Sequence, residues 1–594
     1  MGNILEWFKK NDYVLIFSLL TFLTYVALFV SRTLDDNRLT NWQWAFAGAD
    51  PVRIFFILVI GIIFAYILSR ASFIERHPVI SLFFFSYIVT TLFWREPEVI
   101  VDTSRYFTQA KHLEVYGTGY YFREWGRSIT AWTDMPLVPF LYGLIFKLFG
   151  ESRIFIQAFT TLLYSMTVIL TYLTGKTLWN EDTGLFGGMF FLGIPYLFIQ
   201  TPLMLVDIPT MFFLTLSVFT FIMALKRGGS WMPLASFAIF LAFYSKYSAW
   251  LMLSVLPVIF VVYLAAKNFP SPSPSPARGD GTTSPPSTGG DEGEGAFLNK
   301  RKAVVYRGIS VISIAFLLIG IVLLYKFDVF SGQIKLLMAY QKPGLARWKE
   351  SFISTFFFQI HPFITAAALY SIYAALRKRD LKYMIIAWLV ILVIVLQIKR
   401  IRYIVMVFPM LSLMASYGLV QIKNREAAKF ISLCVVIFSI IVALFIYLPF
   451  IQKISTVNLR DAGSFIDSIN EENIQVFTLS PADPVSNPSV SVPILDLFTN
   501  KKITYDYSNV SNPLREKIEE SALRFTWEYK NPEYYNNKKS KEDSAVVVIS
   551  DDANDPLPDD IKQQIAGYRL SKVFDKFEGI FLYRTIVRVY QLEK

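Results

Sequence analysis

Apolar runs of roughly membrane-crossing length recur along the chain from about residue 13 to residue 449, separated by short polar loops. A helix needs about 20 mainly apolar residues to cross the hydrocarbon core. That ruler predicts about thirteen transmembrane helices, near 13–31, 52–69, 78–95, 154–176, 184–200, 208–225, 232–248, 249–266, 304–325, 353–376, 382–398, 403–421 and 429–449. The segment PLVPFLYGLIFKLFG, Pro136 to Gly150, is too short for a span and carries two prolines and a lysine. It is predicted to lie at the membrane surface or to re-enter it.

Two stretches break this pattern. Pro270 to Gly295 has the Pro, Ser and Gly content of a flexible linker that buries no core, so 268–302 is read as a disordered cytoplasmic linker. Its RGD triplet is a chance match in low-complexity sequence. From about residue 454 the chain turns polar, with strand-like runs at Ile474–Leu479, Ala545–Ser550 and Gly579–Leu592. Helical patterns at RDAGSFIDSI and PDDIKQQIAG alternate with them, which predicts a small α/β domain over 454–594. The remainder, 1–453, is then a polytopic α-helical membrane domain.

Composition agrees: 54% of the 594 residues are hydrophobic and 17% charged, which excludes an ordinary soluble chain. The formal charge of +11 does not point to nucleic acid, because the basic residues fall between apolar runs. They act as topology signals. With Lys9 and Lys10 inside, the inner loops receive Arg70, Arg76, Lys226, Arg227, Arg377 to Arg379, Lys423, Arg425 and Lys429. The expected protein is a multi-pass plasma-membrane protein with a cytoplasmic N-terminus and an extracytoplasmic C-terminal domain. The first span has no convincing small-residue cleavage site and is read as a retained helix. Cys434 sits alone in an apolar run and His77, His112 and His361 are scattered, so neither a disulfide nor a histidine metal site is expected. NVS at Asn509 is an acceptor triplet for glycosylation on the expected outer side.

The expected outer loops carry the candidate chemistry. Asp102 follows the third apolar run, in the aromatic-rich loop 95–151. A carboxylate near apolar surroundings is poised for a raised pKa and for taking a proton from a hydroxyl. The same acid also suits the N-cap of an amphipathic helix ending at Gly117. Asp207, in LMLVDIPTMFF, stands at the outer end of a span, where a charge is a functional-site hypothesis or a topological anchor. Lys246, Lys399, Arg400 and Arg402 fall on the outer side against the charge rule. They suit an anionic partner such as a phosphate, or snorkel to ordinary lipid headgroups. Tyr120, Tyr121, Trp125 and Trp132 fit sugar stacking and interfacial anchoring equally.

The order of an outer acid after an early span, TDMPLVPFLYGLIFKLFGES, LMLVDIPTMFFLTL, LAFYSKYSAWLMLSVLP and KRIRYIVMVFPMLSLM resembles glycosyltransferase family 39 of the GT-C superfamily, over residues 78–450. That family includes dolichyl-phosphate-mannose protein mannosyltransferases and the aminoarabinose transferases that modify lipid A. The resemblance implies a membrane enzyme that moves one sugar from a polyprenyl (dolichyl)-phosphate donor to an extracytoplasmic protein, glycan or lipid, with inversion. It implies that Asp102 is the general base and that Asp207 orients a substrate. Lys246, Lys399, Arg400 or Arg402 would hold the leaving phosphate. No cofactor is implied, and no obligatory divalent metal. The sequence departs from the family where Thr103 follows Asp102 in place of a second acid, leaving Glu124 and Asp134 as candidate assisting acids and, with Tyr120 and Trp125, as acceptor or sugar contacts. DMPLVP replaces the usual paired prolines, no Asp-x-Asp follows the fifth span, and a WWD signature is missing, so en bloc oligosaccharide transfer is not expected.

Two other classes compete. A lipid or glycan transporter or flippase predicts charge in the middle of spans and repeated halves. A scaffold displaying the C-terminal domain needs no convergence of the outer charges. The enzyme does need it. A base and a phosphate flank one reacting carbon, which requires Asp102 within about 12 Å of at least one of those basic side chains.

Overall fold

The computed structural model describes residues 12–37, 40–265, 292–341, 350–479, 486–505, 518, 526–527, 529, 531–536, 544–554, 556–578 and 584–593. Most of the linker expected at 268–302 lies outside them, as does Asn509; its last part enters the helix Glu292–Tyr325.

Eight helices among the described residues are long and apolar enough to cross a membrane: Asp12–Val30, Pro51–Arg70, Arg153–Leu178, Asp207–Arg227, Tyr247–Ala265, Arg301–Tyr325, Ile401–Leu419 and Arg425–Ile451. This is fewer than the thirteen expected. The runs at 78–95, 232–248 and 382–398 form shorter apolar helices, Pro78–Thr91, Trp231–Ser245 and Tyr383–Val395. Those at 184–200 and 353–376 are interrupted just before Pro195 and Pro362. A proline lacks the amide hydrogen and disfavours a helical conformation in the residue before it, so each starts a new helix.

Burial separates the centre of the bundle from its rim. Asp207–Arg227 and Ile401–Leu419 are each 89% buried along their apolar window, against 11% for Asp12–Val30 and 33% for Pro51–Arg70. The two central helices carry at their starts the acid Asp207 and the cation Arg402 of the later site. The opposite end of the bundle is tied together by basic side chains. There Lys226 donates to the Thr177 carbonyl at 3.1 Å, and Lys382 to that of Leu178 at 3.1 Å.

The short segment expected to lie flat is the amphipathic helix Leu137–Phe149. Val138, Tyr142 and Phe146, four residues apart, are buried, whereas Leu148 and Phe149 are exposed. It packs on the helix Ile100–Glu124, which runs past the end expected at Gly117 with a break there, the glycine taking a φ of +84°. Gly143 allows the close approach: a Cβ on it would stand 2.7 Å from the Ala110 carbonyl oxygen and 2.7 Å from the Leu113 Cβ.

The C-terminal domain is a five-stranded sheet of β1 (Asn473–Thr478), β2 (Lys502–Tyr505), β3 (Ser544–Ser550), β4 (Tyr568–Phe574) and β5 (Ile586–Leu592), ordered β2-β1-β3-β5-β4. β1 pairs in parallel with β2 and β3, and β5 antiparallel with β3 and β4. Side chains alternate across a strand. Ala545, Val547 and Ile549 therefore pack with Leu459 and Ile466 of the helix Val457–Ser468, while Val546 and Val548 pack with Ile561. Ile100 joins the first of these cores, with Val101 against it. The domain thus grips the residues immediately before Asp102.

Candidate active site

Asp102 occupies the first turn of the helix Ile100–Glu124, whose N-cap is Val99, and makes no side-chain cap bond. Its Oδ2 accepts instead from Nη1 of Arg402, and its Oδ1 lies 3.9 Å from Nη1 of Arg105. The expected raised pKa is not found. Burial does push the carboxyl up, but the guanidinium groups of Arg402 and Arg105 outweigh it and hold the group below the usual carboxylate range.

Arg402 also reaches the second acid. Its Nε and Nη2 donate to Oδ2 of Asp207 at 3.2 and 2.9 Å, and Lys246 donates to Oδ1 of Asp207 at 2.6 Å. Asp207 is only 1% exposed and has two cations on it. Lys246 is placed there by a break in an apolar run: it is an extended residue between the helices Trp231–Ser245 and Tyr247–Met252. Broken helices at membrane depth often expose polar groups to a site. The Lys246 ammonium also lies 5.0 Å from the Tyr403 ring centroid.

The other basic candidates stand further out. The Arg400 guanidinium lies 5.9 Å from the Tyr403 ring centroid and acts on Asp102 through its charge. The Lys399 ammonium lies 5.9 Å from the Phe352 ring centroid, and its carbonyl accepts from Thr355 at 2.9 Å. Glu350 accepts from the Ile401 amide at 3.3 Å. Asp134 is held by Arg105, from Nη2 and, at 3.0 Å, from Nε, and by Gln109 at 3.0 Å. A chain of alternating charge thus runs Asp134, Arg105, Asp102, Arg402, Asp207, Lys246.

The remaining sequence candidates lie apart from that chain. Glu124 binds Arg123 and Ser128 at the helix end, each at 3.0 Å. Trp125 is buried, its ring 5.6 Å from that of Phe330. Tyr120 packs on Tyr116 with ring centroids 4.7 Å apart.

A fully buried brace sets the spacing of the two acids. Glu98 accepts from Arg153 Nε at 2.6 Å through one oxygen, and from Thr103 at 3.0 Å and the Met204 amide at 2.9 Å through the other. It therefore fastens the start of the Asp102 helix to the loop that leads into Asp207. Sequence reasoning missed Glu98, Arg153 and Arg105. Arg105 had a signal, since it stands three residues after Asp102 on one helix face. Glu98 and Arg153 belong to separate elements and had none. Among the described residues, no group of three or more His, Cys, Asp or Glu side chains is placed to hold a metal ion.

Residues 133–273 match the family model described as dolichyl-phosphate-mannose-protein mannosyltransferase. Over that segment, about a quarter of its length, the chain is similar to that family. The mannosyltransferase-like segment contains Asp134, Asp207 and Lys246; Asp102 and Arg402 lie on either side of it. No curated protein matches the chain. Among solved structures, ArnT from Cupriavidus metallidurans in the apo state aligns at 12% identity and a TM-score of 0.49, over 87% of this chain and 98% of that one. The same protein bound to undecaprenyl phosphate aligns at 11% identity and 0.49, with the same coverage. The archaeal oligosaccharyltransferase AglB from Archaeoglobus fulgidus, in complex with an inhibitory peptide and a dolichol-phosphate, aligns at 12% identity and 0.44, over 81% of this chain and 70% of that one.

Proposed function

We propose that this protein is a membrane glycosyltransferase that moves a single sugar from a polyprenyl (dolichyl)-phosphate donor to an extracytoplasmic acceptor, with inversion. The observation that carries this reading is Arg402, which bridges Asp102 and Asp207 beside Lys246. Two acids and two cations meet at one end of the central helices, so a base and groups able to bind an anion stand side by side. The similarity to the mannosyltransferase family, whose name specifies a lipid-phosphate sugar, supports the donor class.

In this mechanism Asp102 takes the proton of the acceptor hydroxyl as its oxygen attacks the anomeric carbon from the face opposite the phosphate. The bond from that carbon to the phosphate oxygen breaks, and the lipid phosphate leaves with the electron pair. Arg402 and Lys246 meet the charge that develops on it. Paired with Arg402, Asp102 is a weak base at rest. A bound phosphate competes for Arg402 and Lys246, draws the guanidinium away from Asp102 and raises its basicity. Base strength is thereby coupled to donor occupancy.

The test is transfer by the purified full-length protein from labelled mannosyl- or glucosyl-phosphate polyprenols, comparing wild type with Asp102→Asn. Loss of a general base is expected to lower the rate about 10²- to 10⁴-fold. Full activity in the variant removes the mechanism.

A further inference from the structure

A cavity of about 240 Å³ opens beside Asp102, between the helix Ile100–Glu124 and the C-terminal domain. Val101 and Arg105, which flank Asp102 on its helix, are both part of its wall. The facing wall is contributed by the C-terminal domain, through Tyr529, Asn531 and Glu533 among others. Two bonds keep that wall in register: Asp496 accepts from Lys111 of the helix at 2.5 Å and from Tyr535 at 2.7 Å.

The chemistry of the walls narrows the ligand. Tyr116, Trp132 and Tyr529 supply aromatic surface on both sides, and amide side chains alternate with them. A sugar ring has an apolar C–H face and a rim of hydroxyls, which is the complement of such a lining. Gln109 spends its NH2 group on the Thr130 carbonyl and Asp134, and Asn531 spends its own on the Tyr505 carbonyl and Asn536. Their carbonyl oxygens are buried and have no partner among the described residues. The unmet capacity of these two amides, one on each of the facing walls, is therefore for hydrogen-bond donors, which hydroxyls provide and phosphate or carboxylate groups do not, and the buried Thr108 hydroxyl on the helix wall can both donate to and accept from a sugar hydroxyl.

Charge points the same way. Arg105 is the cationic side chain of the cavity wall among the described residues, and both of its contacts to Asp134 are made. Glu533 adds a negative charge. At 240 Å³ the cavity falls just below the roughly 300–1,000 Å³ of sites for drug-sized ligands, the scale of a small saccharide unit.

We propose that this cavity is the acceptor subsite and that it selects an uncharged sugar unit of a glycan or glycolipid, half of the selection being made by the C-terminal domain. The assignment of an acceptor rests on the glycosyltransferase reading; the preference for a neutral saccharide rests on the walls.

The experiment is equilibrium binding to the full-length protein in nanodiscs, by saturation-transfer NMR. The probes are methyl α-mannoside, methyl β-glucoside, mannose 6-phosphate and a serine/threonine peptide, with polyprenyl phosphate binding followed in parallel. The neutral glycosides are expected to bind saturably, and the 6-phosphate about tenfold more weakly. Tyr529→Ala is expected to weaken glycoside binding about tenfold and leave polyprenyl phosphate binding unchanged. Glu533 is exposed, so Glu533→Lys is expected to fold normally and to bring mannose 6-phosphate to within about threefold of the neutral glycosides. Absent glycoside binding, preference for the phosphorylated sugar or the peptide, or an unchanged Tyr529→Ala overturns the proposal. Saturable glycoside binding without sugar transfer would instead count against the glycosyltransferase reading alone.

Discussion

Arg402 holds Asp102 and Asp207 together, reaching the first across 300 positions of chain and the second across 195. One guanidinium, with its fork of five donors, can bind two carboxylates at once, which an ammonium does less well. Arg402→Lys is therefore expected to leave the protein folded, because a cation still sits between the acids. Transfer should fall about 10²- to 10³-fold, in line with the loss of one charge-stabilising donor. An assay of sugar transfer alongside the thermal midpoint separates these effects, and near-wild-type transfer would contradict the bridging role.

The ionisation of Asp102 gives a pH prediction. Its folded pKa lies below the unfolded one, so its ion pair contributes stability above about pH 4 that is lost as pH falls through the folded value. Across pH 5 to 8 the difference in thermal midpoint between wild type and Asp102→Asn should stay constant. A wild-type midpoint that falls relative to that of the variant as the pH rises through that window would mean that Asp102 titrates near neutrality.

Glu350 behaves in the opposite sense. Burial, opposed by the Arg400 guanidinium, raises its pKa to about 7. The folded state then holds the extra proton between about pH 4.5 and 7, and stability falls as pH rises through that range, by up to about 3 kcal/mol. Glu350→Gln removes the penalty. The variant should match wild type near pH 5 and melt a few degrees higher at pH 8; equal melting at both values would sink the assignment.

Glu98 is expected to act on rate through position. Glu98→Gln leaves Arg153 as a buried charge without its carboxylate, and breaking such a pair costs about 3–5 kcal/mol. Where the variant folds, its maximal rate should drop more than its apparent affinity for the donor lipid, because the Asp102 helix loses its tie to the loop before Asp207. Unchanged rate with reduced stability would make Glu98 purely structural.

Gly143→Ala tests the seat of that helix. The added methyl would meet the Ala110 carbonyl and Leu113 at 2.7 Å, too close for any real contact. Overpacking of this kind costs about 1–3 kcal/mol. The check is the thermal midpoint, and a neutral outcome would show that the two surface helices are free to separate.

Hydropathy alone carried the class of this protein. Runs such as Pro51–Arg70 and Asp207–Arg227 are legible because burying about 20 apolar residues in a helix is a local property of composition and length. The unbroken β-branched run in Ser544–Ser550 and the amphipathic spacing of Val138, Tyr142 and Phe146 are local in the same way. So were the chemical types at Asp102, Asp207, Lys246 and Arg402, since charges at the ends of greasy runs stand out against their surroundings.

Partnership was decided only in three dimensions. Whether Asp102 caps its helix or faces a cation depends on Arg402, which no local pattern couples to it. The direction of its pKa depends on the same contact, because burial and nearby charge push in opposite senses and only the distance decides which wins. The brace of Glu98 on Arg153 and the cavity shared with Tyr529 and Asn531 likewise join separate elements. Sequence marks which groups resist burial; packing chooses the partners that make their burial tolerable, and the chemistry available at the site follows from those partners.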